Sequence, residues 1–257
     1  MNIKQLKEYV KHTYNVNNLL DRFGANTKLK KSSKGIYNVA GLSLMPSLKF
    51  CPMSLIAQCF EECLKSAGRG KFNNVVKARN NKSNFYNNDK DLFIELLIHE
   101  LKLHVINCKK NNVKPSARLN VLSDIPYEKT DIFNMFKEIY FYDYTKRANR
   151  LETCNKIDNY KLMFSYSGAE GYQKQVNQAI QFENPIAVVF KNDFPKTFLN
   201  RPVFNGDLSD IDNSTRDNHI IALKAKGSLA RNSFNDFVVN LPKLATSKDI
   251  FKEWKIA

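Results

Sequence analysis

The sequence predicts an α/β protein with an irregular, barrel-like (β/α) parallel sheet and a helical extension at its N-terminus. Three observations support this prediction: short apolar runs recur along the chain, helical stretches separate the earlier runs, and the chain has only 9 glycines and 8 prolines. Strands that are apolar on both faces and joined by helices are typical of parallel sheets. The scarcity of Gly and Pro argues against a series of linked modules.

The predicted strands begin at residue 36 and recur up to residue 241. IYNVAGLSL at 36–44 is the first, and PVFNGD at 202–207 is a candidate eighth. The six others are ARLNVLS at 117–123, IYFYDYT at 139–145, YKLMFSY at 160–166, PIAVVF at 185–190, HIIALKA at 219–225 and FVVNL at 237–241. Eight parallel strands approach a (β/α) barrel, although the later connections are too short for full helices.

Apolar residues at helical spacing predict three helices before the strand-rich region. The first lies within 6–23, the second spans 55–64 and ends at Gly68, and the third begins near Asp89 with acidic residues that suit a helix N-terminus. The third contains two pairs four residues apart that we interpret as helix-surface pairs, Glu95–His99 and Glu100–His104. The change of character after the basic start predicts two parts, an N-terminal basic extension at 1–35 and a barrel-like domain at 36–257.

The charge balance favours a polyanionic partner. Lys and Arg number 40 against 25 Asp and Glu, a net charge of +15 that is spread along the chain. Nucleic acid is the commonest large polyanion, and DNA is the expected partner; the alternative is a composition that drifted towards Lys and Asn in an AT-rich genome. No apolar run reaches the roughly 18 to 20 residues of a membrane span, and the N-terminus has no secretory apolar region, so we expect a cytoplasmic protein without a membrane partner.

Polar side chains follow most of the predicted strands. In parallel barrels the loops after the strands converge at one rim, where general acids, bases and phosphate-binding groups can meet. The predicted catalytic set is Asp124, Glu128, Asp143, Lys146, Asp207 and Lys224. Within it, Asp143 could neutralise Lys146 and Asp207 could neutralise Lys224. The alternative is that these residues are ordinary solvated strand ends.

Three of the five cysteines, Cys51, Cys59 and Cys63, follow the first strand. An odd number of cysteines without an export signal argues against disulfides, and three thiolates could hold zinc or an iron–sulfur cluster. Their position is similar to that of the cluster-binding loop in radical S-adenosylmethionine enzymes, but the spacing C-x7-C-x3-C departs from the usual C-x3-C-x2-C. The alternative is a helix whose buried face carries Cys59 and Cys63.

A basic turn, SAGRGKF at 66–72, follows the cysteines and could hold phosphate through backbone amides and side chains. The predicted nucleic-acid contacts are Arg69, Lys71, Lys77, Arg79, Arg150 and Lys226. The Walker A, G-x-G-x-x-G, G-x-S-x-G and H-E-x-x-H patterns do not occur, which removes the simplest nucleotide-binding, serine-hydrolase and metalloprotease interpretations.

These motifs together resemble a family of bacteriophage and prophage proteins, the mycobacteriophage gene-product-eighty-eight type. The resemblance rests on LSLMPSLKFCP, the two later cysteines and the turn before VVKAR, and it continues through RLNVLSDIPYE, FYDYTKRANR, NGDLSD and IIALKAKG. It covers roughly residues 40–240 and implies a phage or mobile-element origin, a bacterial host cytoplasm and a DNA-related role, without supplying a mechanism.

Two functional hypotheses follow from the residues and the resemblance. The first is a DNA-associated enzyme that modifies or exchanges a nucleobase, or acts on a nucleotide, in a cleft at the strand ends. The second is a non-catalytic DNA-binding protein of phage replication, whose basic surface grips DNA.

Overall fold

Short runs of β-branched and aromatic residues form one sheet in the computed structural model, which describes residues 1–21, 35–63 and 68–241. Within these residues the sheet has ten strands. They are β1 Leu20–Asp21, β2 Tyr37–Leu42, β3 Lys114–Arg118, β4 Tyr140–Thr145, β5 Tyr160–Ser165, β6 Ile186–Phe190, β7 Thr197–Phe198, β8 Arg201–Asn205, β9 Ile220–Lys224 and β10 Val238–Val239.

The sheet is parallel except at its two edges. Its order is β1-β2-β3-β4-β5-β6-β9-β8-β7, and only the edge pairs β1–β2 and β7–β8 are antiparallel. β5 pairs with the start of β6, at Ile186 and Ala187, whereas β10 pairs with its end, at Val189 and Phe190. The α/β class and the mostly parallel sheet are therefore confirmed, while closure into a barrel stays a prediction.

Eight α-helices connect the strands of the described segments. They are α1 Ile3–Tyr14, α2 Asn73–Asn88, α3 Lys90–Lys110, α4 Ile132–Met135, α5 Asn149–Cys154, α6 Gln173–Ala179, α7 Asp210–Ser214 and α8 Ser228–Arg231. Single 3₁₀ turns lie at Gly68–Lys71, Tyr127–Lys129 and Glu170–Tyr172. Among these described helices none has the length and apolar character to cross a bilayer.

The two faces of the sheet pack against different partners, because successive side chains of a strand point to opposite faces. On β4, Phe141 belongs to the large core that the helices cover, whereas Tyr142 belongs to a small cluster on the other face. Ile211 of α7 completes that small cluster. The segment after β8 thus crosses back over the sheet and brings its polar residues near the ends of β3 and β4.

The N-terminal helix predicted from the sequence is present and belongs to the main core. Asn2 caps α1 and receives the backbone N–H of Gln5 at 3.0 Å, and Leu6 and Val10 are fully buried. The short strand β1 then pairs with β2, at Leu20 opposite Leu42. The predicted boundary at residue 35 adjoins 22–34, which lie outside the described residues, so the two-part division stays a prediction.

The predicted helix over 55–64 is wrong for its described part. Residues 51–63 form a series of turns, closed by bonds such as that from the Ala57 N–H to the Met53 carbonyl at 2.9 Å. The alternative that placed Cys59 and Cys63 on one buried helical face is wrong with it. Cys51, Cys59 and Cys63 therefore lie along this irregular segment and do not share a helical face.

The Glu100–His104 surface pair is also wrong, because both side chains have long-range partners. The buried Glu100 carboxylate accepts the backbone N–H of Leu19 at 2.9 Å and that of Leu20 at 2.8 Å. His104 bonds to the carbonyl of Ser116 at 3.1 Å. Glu100 thereby anchors the start of β1 to helix α3.

We predict that Glu100→Ala lowers the free energy of unfolding by about 3 kcal/mol, because it leaves the buried N–H of Leu19 and the half-buried N–H of Leu20 without a charged acceptor. Glu95→Ala is the matched control, since Glu95 lies exposed on the same helix, and it should change stability by less than about 0.5 kcal/mol. Urea unfolding followed by circular dichroism measures both. Equal losses in the two variants would contradict the anchoring role.

Candidate functional site

A pocket of about 140 Å³ lies at the carboxyl ends of β3, β4 and β5. In parallel sheets the loops that follow neighbouring strands meet at this edge. The strand ends contribute Arg118, Thr145 and Ser165, the loop after β3 contributes Asn120 and Asp124, and the cysteine-bearing segment after β2 closes the opposite wall.

Asp124 is the residue through which these loops are joined. Its carboxylate accepts the hydroxyl of Thr145 at 2.8 Å and the backbone N–H of Lys146 at 3.0 Å, and it pairs with the guanidinium of Arg150. Its own N–H bonds to the carbonyl of Phe50 at 2.8 Å. The side chain therefore ties the loop after β3 to the end of β4, and its backbone ties the same loop to the cysteine segment.

Arg150 has a structural role that leaves no side-chain face for nucleic acid. It is 4% exposed and binds Glu128 through two bonds of 2.7 Å, one from Nε and one from Nη2. It also donates to the carbonyl of Ile125 at 3.2 Å. A guanidinium with these partners, buried behind the pocket, is unavailable to a phosphate, so the predicted nucleic-acid contact is corrected to an internal ion pair.

Asp143 lies behind the pocket wall rather than on it. Its carboxylate accepts the backbone N–H of Asn120 at 2.8 Å and the Tyr160 hydroxyl at 3.3 Å, and the Nε of Arg118 lies 4.0 Å away. Burial raises its pKa from 3.8 to about 6, although Arg118 and Asn120 oppose the shift. The predicted neutralisation of Asp143 by Lys146 is replaced by these three partners.

Lys146 is the lysine that lines the pocket. Its ammonium donates to the carbonyl of Tyr166 at 2.9 Å and lies 4.4 Å from the centre of the Phe237 ring. Burial lowers its pKa from 10.5 to about 8, and the nearby Cys59 and Asp124 offset part of that effect. A considerable fraction of this amine is therefore neutral near physiological pH, which suits proton transfer.

Arg118 is a pocket residue that the sequence analysis missed. It ends β3, donates to Asp210 of α7 at 3.1 Å and lies 4.7 Å from the centre of the Tyr144 ring. The predicted strand ran from residue 117 to residue 123, which placed Arg118 near its start instead of at its end. The Pro and Ser of KPSAR interrupt the apolar pattern, so the true strand was not predicted. The available signal for Arg118 was a cation at a strand position in a chain with several aspartates further along, any of which could pair with it.

The three cysteines predicted as metal ligands all border this pocket and are half-buried. The Cys51 thiol donates to the carbonyl of Leu122 at 3.6 Å, and burial raises its pKa to about 12. Burial also raises the pKa of Cys59. The thiols of Cys51 and Cys59 are therefore protonated at neutral pH, and a metal bound to these two would have to displace their protons.

Thiols are the donor type that zinc and iron–sulfur clusters use, but the three cysteine side chains are not grouped as metal ligands. Among the described residues no three His, Cys, Asp or Glu side chains form a group that could hold a metal ion.

Two of the predicted catalytic residues, Asp207 and Lys224, lie in a second depression, of about 470 Å³, at the ends of β8 and β9. Asp207 pairs with the ammonium of Lys226 at 2.6 Å and accepts the backbone N–H of Lys224 at 3.2 Å. Lys226 therefore takes the place predicted for the Lys224 ammonium. The predicted set divides in two: Asp124, Lys146, Glu128 and Asp143 lie in or behind the first pocket, and the other two lie in the second.

A family model described as gene product 88 matches residues 18–240. The chain belongs to the gene product 88 family. The matched span includes the cysteine segment and both depressions, so the phage-type family predicted from the sequence motifs is confirmed. No curated protein and no solved structure matches the chain.

One cation of the basic turn in this gene product 88 protein is already engaged by an internal hydrogen bond. Arg79 donates to the carbonyl of Gly70 at 3.1 Å and so closes the 3₁₀ turn onto α2. Lys71 and Lys77 are exposed, whereas the side chain of Arg69 lies outside the described residues. The predicted phosphate contacts at this turn stay a prediction, with Lys71 and Lys77 as the available cations.

We predict that Asp143→Asn changes how stability depends on pH. The folded-state pKa of about 6 lies above the ordinary 3.8, so the native state holds the proton more tightly and loses stability as pH rises from about 4 to 6. The wild-type free energy of unfolding should fall by about 3 kcal/mol relative to Asp143→Asn across that window, and the difference should be constant above it. Urea unfolding at several pH values measures this difference, and a constant difference from pH 4 upwards would contradict the raised pKa.

Proposed function

We propose that this phage-type protein is an enzyme that acts on a nucleobase or nucleotide of DNA in the pocket at the ends of β3, β4 and β5. The observation that carries the proposal is Lys146, an amine with a pKa of about 8 in a pocket that also presents the buried cation Arg118. Perturbed groups of this kind concentrate at active sites. The net charge of +15 supplies the attraction to DNA.

The pocket residues divide the work of such a reaction. Lys146 takes or returns a proton at the reacting base, because its neutral and charged forms coexist near pH 8. Arg118 stabilises negative charge that develops on a carbonyl or phosphate oxygen. Asp124 holds the backbone of Lys146, and Asp143 holds Asn120 and thereby orients the part of the pocket wall that Asn120 forms.

Base modification or exchange is the reaction class that we favour. The pocket volume of about 140 Å³ is below the roughly 300 to 1,000 Å³ of sites for drug-sized ligands. A pocket of this size suits one flat base taken out of the stack rather than a whole nucleotide, as in enzymes that flip their target base. We place this activity in the cytoplasm of an infected bacterial host.

We predict that DNA from cells that produce the wild-type protein contains a modified nucleoside and that Lys146→Ala reduces its amount at least about 100-fold, the usual contribution of a general acid or base. Lys174→Ala is the matched control, because Lys174 is exposed on α6. Nucleoside mass spectrometry measures the product. The rate at saturating DNA should rise as pH passes through about 8, since the neutral amine is the base.

Unchanged DNA composition with and without the wild-type protein would refute the enzyme and leave its rival, a DNA-binding protein without chemistry. The exposure of Lys71 and Lys77 favours that rival. It requires Lys71→Gln and Lys77→Gln to weaken DNA binding and to flatten its salt dependence, while Lys146→Ala leaves binding unchanged.

An iron–sulfur cluster or zinc at Cys51, Cys59 and Cys63 is a separate part of the proposal, supported by their position around one pocket; it requires the three side chains to draw together, since they are not grouped as metal ligands in the described structure. We predict that protein purified anaerobically carries about one equivalent of zinc, or about one cluster, per chain. Each Cys→Ala change at these three positions should remove the bound metal. Cys108→Ala is the control, because Cys108 is buried on α3 outside this pocket. Only traces of metal in the wild-type protein would refute the metal site without touching the role of Lys146.

A further inference from the structure

The second depression is lined mainly by cations. Lys191, Lys224, Lys226 and Arg231 border it, and Asp207 is the acidic residue among its described lining. The Asp207 carboxylate is engaged by Lys226. Lys224 and Arg231 are exposed and carry charges that a phosphate could approach.

An aromatic side chain projects beside these cations. Phe234 is 97% exposed, and the ammonium of Lys191 lies 4.9 Å from the centre of its ring. Exposing a whole phenylalanine to water forgoes the stabilisation of about 2 kcal/mol that its burial would bring. A ring in this position is available to stack on another flat group.

The loop that carries Phe234 is held in place on both sides of the ring. The Ser233 hydroxyl donates to Glu62 at 3.0 Å, and the Asn235 amide donates to the Glu62 carboxylate at 2.6 Å and to the carbonyl of Gln58 at 2.9 Å. The Asp236 N–H bonds to the Gln58 side chain at 3.0 Å. These bonds hold Phe234 away from the core and fasten the loop to the cysteine segment.

The same loop reaches the first pocket. The Gly168 N–H bonds to the carbonyl of Asp236 at 2.8 Å, and the Phe237 ring lies 4.4 Å from the Lys146 ammonium. β10 follows at once and pairs with the end of β6. We name residues 228–239 the strap, because they run from the cationic depression to the wall of the Lys146 pocket.

We infer that the cationic depression and Phe234 bind single-stranded nucleic acid, with phosphates on Lys224 and Arg231 and an unpaired base stacked on Phe234. This inference rests on the proposed function, for which it names the form of the substrate. A phenylalanine can stack on a base face only where the base is unpaired, which favours a single strand over a duplex. Since Phe237 of the strap lies beside the Lys146 ammonium, a strand bound along the strap would run towards that pocket.

The test measures binding of the full-length protein to a fluorescein-labelled oligodeoxythymidine of about 20 nucleotides by fluorescence anisotropy at several salt concentrations. Phe234→Ala should weaken binding about tenfold or more, and Phe234→Trp should restore it, because tryptophan also stacks. The double variant Lys224→Gln/Arg231→Gln should weaken binding and reduce the salt slope by about 1.4, which corresponds to two phosphate contacts on a single strand.

Lys109→Gln/Lys110→Gln is the matched control, since both lysines are exposed at the end of α3 and the change in charge is the same. The inference is overturned if the strap variants bind like this control, or if a duplex of equal length binds as tightly with the same dependence on Phe234. Binding to vesicles of phosphatidylserine and phosphatidylcholine in place of the oligonucleotide, with loss in Phe234→Ala, would overturn it in favour of a lipid surface.

The oligonucleotide-binding test and the nucleoside-modification test can fail independently of each other. The dependence of binding on Phe234 and on Lys224 and Arg231 should persist in Lys146→Ala, because Lys146 does not line the cationic depression. Binding that depends on Phe234 without any modified nucleoside would refute the enzyme alone, whereas a modified nucleoside whose yield ignores Phe234 would refute the strap alone.

Discussion

The fold around the candidate site depends on one buried carboxylate, Asp124. Its oxygens join the end of β4, the guanidinium of Arg150 and the loop after β3, and its backbone holds the cysteine segment at Phe50. Burying these charges costs free energy that their mutual pairing must offset, so removing one partner leaves the other charges buried without compensation. The ion pairs thus specify how four chain segments meet, and the small volume of the pocket follows from that arrangement.

The order of strands explains why two depressions exist instead of one. β5 accompanies only the beginning of β6, and β10 takes over beside its end. The chain that enters through this change of partner is the strap, and it separates the Lys146 pocket from the cationic depression. Parallel strands do deliver ionisable side chains to a common edge, but an inserted strand divides that edge into two separate depressions.

Periodicity predicted the strands well, because β4, β5, β6 and β9 are apolar runs whose character does not depend on their neighbours. It failed where distant contacts decide the structure. Helix α2 has the sequence NNVVKARNNKSNFYNN, whose asparagines are poor helix formers, and periodicity did not predict it. Residues 55–63 have helical spacing yet form turns, and their partners, such as Asn235 for the carbonyl of Gln58, are distant in the chain. Partners such as Glu100 with Leu19, or Arg118 with Asp210, are far apart in the chain and have no local signature.

The short segment from Asp207 to Asp210 touches both depressions. Asp207 neutralises Lys226 in one, and three residues later Asp210 receives Arg118 in the other. The backbone N–H of Lys224 also holds the Asp207 carboxylate, and the Asp210 carboxylate is carried on the same few residues. A displacement of Asp207 would therefore alter the position of the carboxylate that pairs with Arg118, which links the charge balance of the two depressions through one short stretch of backbone.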